Sequence, residues 1–184
     1  MLSSRPHIHL VLLSHLIVML CFLSTCSRSA SSGLGGGEQE ILRFNTEEVR
    51  SGEVISLEKL LARDLAVLLN FWSFRCSPCF VEIDALNRLY RGKLKGCRVE
   101  FIAVNTDGLE KKELIEAIQE QGIDIRFPVI ADADMQLTNY YSDGFVPHTV
   151  IVTGSGGRDL EITGFNEKLF EKLEKRLFEI ACKG

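Results

Sequence analysis

The stretch Asn70–Glu82, NFWSFRCSPCFVE, places Cys76 and Cys79 on either side of Ser77-Pro78. It overlaps Leu65–Trp72, LAVLLNFW, which is apolar throughout except at Asn70. A run of that length suits a strand buried on both faces. From Pro78 to Tyr90 the apolar residues Ile83, Leu86 and Tyr90 recur at intervals of three and four, the period of a helix with one face on a core. The cysteines therefore fall where a buried strand gives way to a helix. Free N–H groups and the helix dipole at that end favour an anion, so the Cys76 thiol is placed to ionise. Cys79, one turn on, is placed to attack a mixed disulfide formed at Cys76. Pro78 fits the first turn, where its missing N–H breaks no bond.

Other uses of the pair fit less well. A structural zinc site needs a second pair of ligands. No second Cys-x-x-Cys exists among the six cysteines, and three of the four histidines lie in the first 15 residues. A purely structural bridge across two residues removes little entropy from the unfolded chain. Thiol–disulfide redox chemistry is the reading that placement supports.

The chain of 184 residues is long enough for one domain with a proper core. Its formal net charge of −4, with no basic run, excludes a surface built to cover nucleic-acid phosphates. Leu10–Leu23, LVLLSHLIVMLCFL, has the length of the apolar core of an export signal and is short for a membrane span. It ends in Leu23–Cys26, LSTC, which resembles a bacterial lipobox whose cysteine carries lipid; Thr25 is bulkier than the usual residue there. Cleavage near Ser29 and an uncleaved anchor are the alternatives. Residues 27–37, SRSASSGLGGG, read as a flexible tether. The expected organisation is a signal segment at 1–26, a tether at 27–37 and a folded domain at 38–184.

Within that domain, Ile41–Phe44 and Glu53–Ile55 read as a hairpin around Ser51-Gly52, and Ser56 as the N-cap of a helix to Ala62. Arg98–Val104 reads as a second buried strand, and Glu110–Gln121 as an amphipathic helix ended by Gly122. Phe127–Ile130 is extended and Met135–Tyr141 a short helix. Pro147–Val152 and Arg158–Ile162 are strands joined by TGSGG. Glu167–Ile180 closes the chain as a helix. The order β-α-β-α, an insert, then β-β-α predicts an α/β fold with a mixed sheet.

These segments resemble the thioredoxin family, and in particular its TlpA/ResA-like branch of exported, membrane-tethered proteins. FWSFRCSPCFVE is similar to the active-site segment, LNRLYRGKLKGCRVEFIAVNTD to the following helix and strand, and FPVIADADMQLTNYY to the branch's insert. GFVPHTVIV is similar to the cis-proline segment, and GRDLEITGFN to the final strand. The resemblance implies a thioredoxin fold: a central mixed sheet flanked by helices, with an N-terminal hairpin and an insert before the cis-proline strand. It implies Cys76 as nucleophile, Cys79 as resolving cysteine, Trp72 as the active-site tryptophan and Pro147 as the cis-proline. Val146 would then offer its backbone to an extended substrate. No cofactor is implied. The partners implied are exported thiol or disulfide proteins such as apocytochrome c, and a membrane donor of electrons.

The family's buried aspartate falls on Asn70, and the glutamate that the TlpA/ResA-like branch carries three residues after its second cysteine falls on Glu82, which the resemblance makes the candidate for handling the Cys79 proton; a surface or capping glutamate is the alternative. Arg75 replaces the usual aromatic before Cys76. A guanidinium there favours a thiolate, unless it is simply solvated. His148 follows Pro147, either as a group titrating near neutrality or as a side chain on the rim. The direction of electron flow stays open: reductase is the leading reading, with an exported oxidant or isomerase and a non-catalytic binding module as rivals. A peroxidase is disfavoured because Ser73 stands where its threonine is needed. Cys97 and Cys182 both fall at the pole away from the redox pair. Their pairing also stays open, because Cys182 lies near a chain end and Cys97 fits equally as a small buried residue.

Overall fold

The computed structural model describes residues 42–154 and 157–182, which lie within a compact unit running from Glu38 to Gly184. The expected signal segment at 1–26, the expected tether at 27–37 and Cys26 fall outside the described residues. The strands are β1 (Asn45–Glu47), β2 (Val54–Ser56), β3 (Ala66–Trp72), β4 (Val99–Asn105), β5 (Val129–Ala131), β6 (His148–Thr153) and β7 (Gly157–Thr163). The helices, in chain order, are α1 (Leu57–Ala62), α2 (Ser77–Arg91), α3 (Lys111–Glu120), α4 (Gln136–Tyr141) and α5 (Glu167–Ala181).

Five strands form one sheet in the order β5-β4-β3-β6-β7. β3, β4 and β5 run parallel, β6 runs antiparallel to β3, and β7 antiparallel to β6. This is the mixed sheet that the order of elements predicts. β3 is central and buried along its whole length, as its continuous apolar run requires. Its alternate residues serve two cores. Ala66, Leu68 and Trp72 join a cluster with α2, α3 and α5 that contains both redox cysteines. Val67, Leu69 and Phe71 join a second cluster with residues of α1 and α4. A strand's period of two does this sorting.

Helix ends follow local chemistry. Ser56 and Asn166 cap α1 and α5 by accepting the N–H of Lys59 (3.4 Å) and Leu169 (3.0 Å). Gly92 ends α2, where a Cβ would meet the Arg88 carbonyl oxygen at 2.7 Å; only glycine clears that approach.

The N-terminal hairpin departs from expectation. Its first strand is Asn45–Glu47, which pairs with Val54–Ser56; of the expected strand Ile41–Phe44, residues 42–44 are not in a strand and Ile41 lies outside the described residues. The turn is longer than Ser51-Gly52 because Glu48 organises it. The Glu48 carboxylate accepts the N–H groups of Arg50 (2.8 Å) and Ser51 (2.6 Å), and Gly52 N–H donates to the Glu48 carbonyl (3.0 Å). The same carboxylate accepts Val129 N–H at 3.2 Å, while the Arg50 guanidinium donates to the carbonyls of Ile125 (2.6 Å) and Phe127 (2.5 Å). The hairpin is thereby fastened to the β5 edge.

At the opposite end of α5, Cys97 and Cys182 form a disulfide with Cα atoms 4.7 Å apart. The helix runs to Ala181, and Arg98 N–H donates to the Ala181 carbonyl at 2.8 Å. The C-terminus is therefore tied down before it reaches Cys182, and the fraying expected of a chain end does not reach the sulfur.

Candidate active site

Cys76 is the N-cap of α2, in extended conformation, and Pro78 occupies the first turn. The Cys79 N–H donates to the Cys76 carbonyl at 3.0 Å. The two sulfurs are bonded, with Cα atoms 5.3 Å apart, so the structure shows the oxidised form of the pair. Cys76 is 8% exposed and Cys79 fully buried. Cys76 is therefore the less deeply buried residue of the pair.

Under the pair lies a buried polar group. Glu82 is 2% exposed and its carboxylate accepts Asn70 Nδ2 at 2.8 Å and Thr149 Oγ1 at 3.0 Å. Asn70 Nδ2 also reaches Thr149 Oγ1 at 3.1 Å, and Asn70 Oδ1 has no partner among the described residues. Burial pushes the Glu82 carboxyl up to about 7, against the two hydrogen bonds that favour its ionised form. Three elements meet here: β3 supplies Asn70, α2 Glu82 and β6 Thr149. Glu82 is neither a cap nor a surface residue.

The approach to Cys76 is braced by Asp107, just past the end of β4. Its carboxylate accepts Ser73 Oγ (2.7 Å), Phe74 N–H (2.9 Å) and Asn105 Nδ2 (2.8 Å). Ser73 Oγ in turn accepts Arg75 N–H at 3.2 Å, and its carbonyl accepts Cys76 N–H at 3.1 Å. Sequence reading missed Asp107. The available signal was its place beyond the carboxyl end of a parallel strand, where α/β sheets gather their sites.

The side chain of Arg75 is 89% exposed, and its Nε stands 4.0 Å from Asp107 Oδ1. It is a solvated group beside a carboxylate, a weak pairing in water. Trp72, expected as a substrate contact, lies inside the fold. It is fully buried, with Phe74 and Phe80 edge-on at 5.0 Å and 6.4 Å, and its Nε1 has no partner among the described residues. The Val146–Pro147 bond is cis. Val146 is half-buried and packs on the cluster that holds the cysteines.

His148 points the other way. It is buried, with Nδ1 2.8 Å from Thr163 Oγ1 and its ring 6.2 Å from that of Phe71. Burial moves its pKa down, so it is neutral at pH 7 and neither lines the rim nor meets substrate. Strand alternation explains this: Thr149 faces the cysteines, so His148 faces the opposite core. Among the described residues no three His, Cys, Asp or Glu side chains converge as metal ligands.

Residues 38–155 match the model of the AhpC/TSA family. The chain is 35% identical over 119 residues to a protein named thiol-disulfide oxidoreductase ResA from Geobacillus kaustophilus, with 64% of each chain covered. It is 33% identical over 129 residues to one of the same name from Bacillus cereus, with 70% of each covered. The first alignment spans just under two thirds of that relative. A thioredoxin family thiol:disulfide interchange protein of Chlorobium tepidum TLS superposes with a TM-score of 0.59 at 21% identity, over 77% of this chain and 97% of that one. That likeness identifies the sheet and its helices as a thioredoxin fold.

Proposed function

The chain belongs to the AhpC/TSA family and to its ResA-like thiol–disulfide oxidoreductases, and from that premise we propose that it reduces disulfides of exported proteins. Cys76 attacks and Cys79 resolves. The Cys76 thiolate displaces one sulfur of a client disulfide, which leaves as a thiolate and takes up a proton. Cys79, once deprotonated, attacks the Cys76 sulfur, closes the internal disulfide and releases the second client thiol. Two electrons pass from the pair to the client, and a thiol-reducing donor at the membrane restores the dithiol.

The observation that carries this reading is the buried Glu82 one turn after Cys79. A carboxyl titrating near about 7 can take a proton from a thiol and return it at neutral pH. Its ionised form also opposes a thiolate nearby. A pair whose thiolate is not strongly stabilised is reducing, not oxidising. The resemblance to the TlpA/ResA-like branch points to apocytochrome c among the clients.

Export is part of the same proposal. Disulfides away from a redox site persist in oxidising compartments, and Cys97–Cys182 is such a bond. The apolar stretch Leu10–Leu23 and the LSTC that follows suit an export signal with lipid on Cys26. The domain from 38 to 184 would stand off the membrane on the tether at 27–37. Equilibration against glutathione and dithiothreitol buffers tests the direction of electron flow. A reductase has a potential below about −200 mV, whereas a value near about −120 mV belongs to an oxidant.

A further inference from the structure

Phe145 is 66% exposed, the most exposed large apolar side chain among the described residues. It stands directly before Val146 and Pro147. The ladder between β3 and β6 pairs Phe71 with His148, which puts residues 145–147 at the end of β3 where the chain turns towards Cys76. No backbone hydrogen bond of Val146 forms among the described residues. The loop itself is held in place: Phe145 N–H donates to the Ser142 carbonyl at 3.0 Å, and Gly144 supplies a φ of 78° that other residues rarely adopt. Phe145 thus stands in water beside Val146, whose backbone has no partner among the described residues. Nothing in the fold gains from that exposure.

We propose that Phe145 is a specificity-determining residue of the redox site, selecting client disulfides whose cysteine is flanked by an apolar side chain in an extended, unfolded segment. The inference rests on the disulfide-reductase reading above. A client strand that reaches Cys76 satisfies its own backbone and that of Val146 by pairing there. Successive side chains of a strand alternate between faces, so a client residue next to the paired one falls beside Phe145. An apolar residue there removes two apolar surfaces from water at once; a polar one gains nothing. The exposed charges flanking the two halves of the site, Arg75 and Asp143, have opposite signs, so charge offers little selection of its own. Folded proteins bury apolar segments that carry cysteine, which makes unfolded chains the clients that present them.

The test uses the reduced protein and two disulfide-linked peptides that differ only beside the cysteine, leucine in one and serine in the other. Oxidised hydroxyethyl disulfide serves as a small control. The wild type reduces the leucine peptide about tenfold faster, and Phe145→Ser lowers that preference to about twofold or less, each rate being taken relative to the same protein's rate with the small disulfide. Equal rates for the two peptides in the wild type, or a preference that survives in Phe145→Ser, overturns the inference while leaving the reductase intact. A wild type that reduces neither peptide nor the small disulfide overturns the reductase reading, and this inference with it.

Discussion

Asn70 Nδ2 donates a 2.8 Å hydrogen bond to Glu82 Oε2 in a fully buried setting beneath the redox pair. A neutral amide thus occupies the position where the thioredoxin family carries an acid, and the acid stands one helix turn from Cys79 instead. The buried acid of the site lies on α2 and not on β3.

Replacing Glu82 with Gln should show this in two ways. Burial raises the folded-state pKa of Glu82 to about 7 from 4.5, so the neutral form is favoured on folding. The wild type should therefore lose stability as pH rises from 4.5 through about 7, and Glu82→Gln should not. The difference amounts to about 3 kcal/mol across that window, measured by denaturant unfolding at pH 4 and pH 8. The thiolate titration of reduced Glu82→Gln, followed in the ultraviolet, should move to lower pH because a buried negative charge has gone. A titration curve that does not move would reduce Glu82 to a structural role.

Asp107→Asn keeps the shape of the brace under Ser73 and Phe74 but removes its charge. The rate at which Cys76 is alkylated should then reach its plateau at lower pH than in the wild type. An unshifted alkylation profile would leave Asp107 with the loop alone to hold.

The distal bridge should be separable from the chemistry. Cys97→Ser with Cys182→Ser opens a loop of sequence separation 85, and should cost about 2–5 kcal/mol of stability. The potential of the Cys76–Cys79 pair should stay at its wild-type value. A shift in that potential would show that the two poles communicate.

Acid sensitivity should trace to Glu48. Burial raises its carboxyl, but hydrogen bonds from Ser51, Arg50 and Val129 outweigh that and hold it at about 2. A depressed acid stabilises the fold above its unfolded pKa, and the contribution disappears as pH falls from about 4.5 through 2. Glu48→Gln should cost about 2–3 kcal/mol at pH 7 and progressively less towards pH 2, read by unfolding at each pH.

Much of this was legible in the sequence where one local signal decided the outcome. The apolar run Leu65–Trp72 contains β3, and the spacing of Ile83, Leu86 and Tyr90 marks α2. Asn70 and Glu82 stood out because the thioredoxin family's buried aspartate falls on the one and the helix glutamate of the TlpA/ResA-like branch on the other. What stayed hidden depended on side chains reaching across the fold. Glu48 moved the hairpin by taking the N–H groups of Arg50, Ser51 and Val129. Asp107 braces Ser73 from a neighbouring strand. The Cys97–Cys182 bridge depended on how far α5 runs and on the Arg98–Ala181 hydrogen bond. The orientation of His148 followed from strand alternation once Thr149 was seen to face Glu82.

The most direct measurement is capture of the mixed disulfide. With Cys79→Ser the resolving step is lost, so the reduced variant mixed with a disulfide-bonded client should hold that client covalently. Peptide mapping by mass spectrometry should place the adduct on Cys76, and Cys76→Ser should hold none. An adduct through Cys79 in Cys76→Ser, or no adduct in either variant, would contradict the assignment of Cys76 as the attacking thiol.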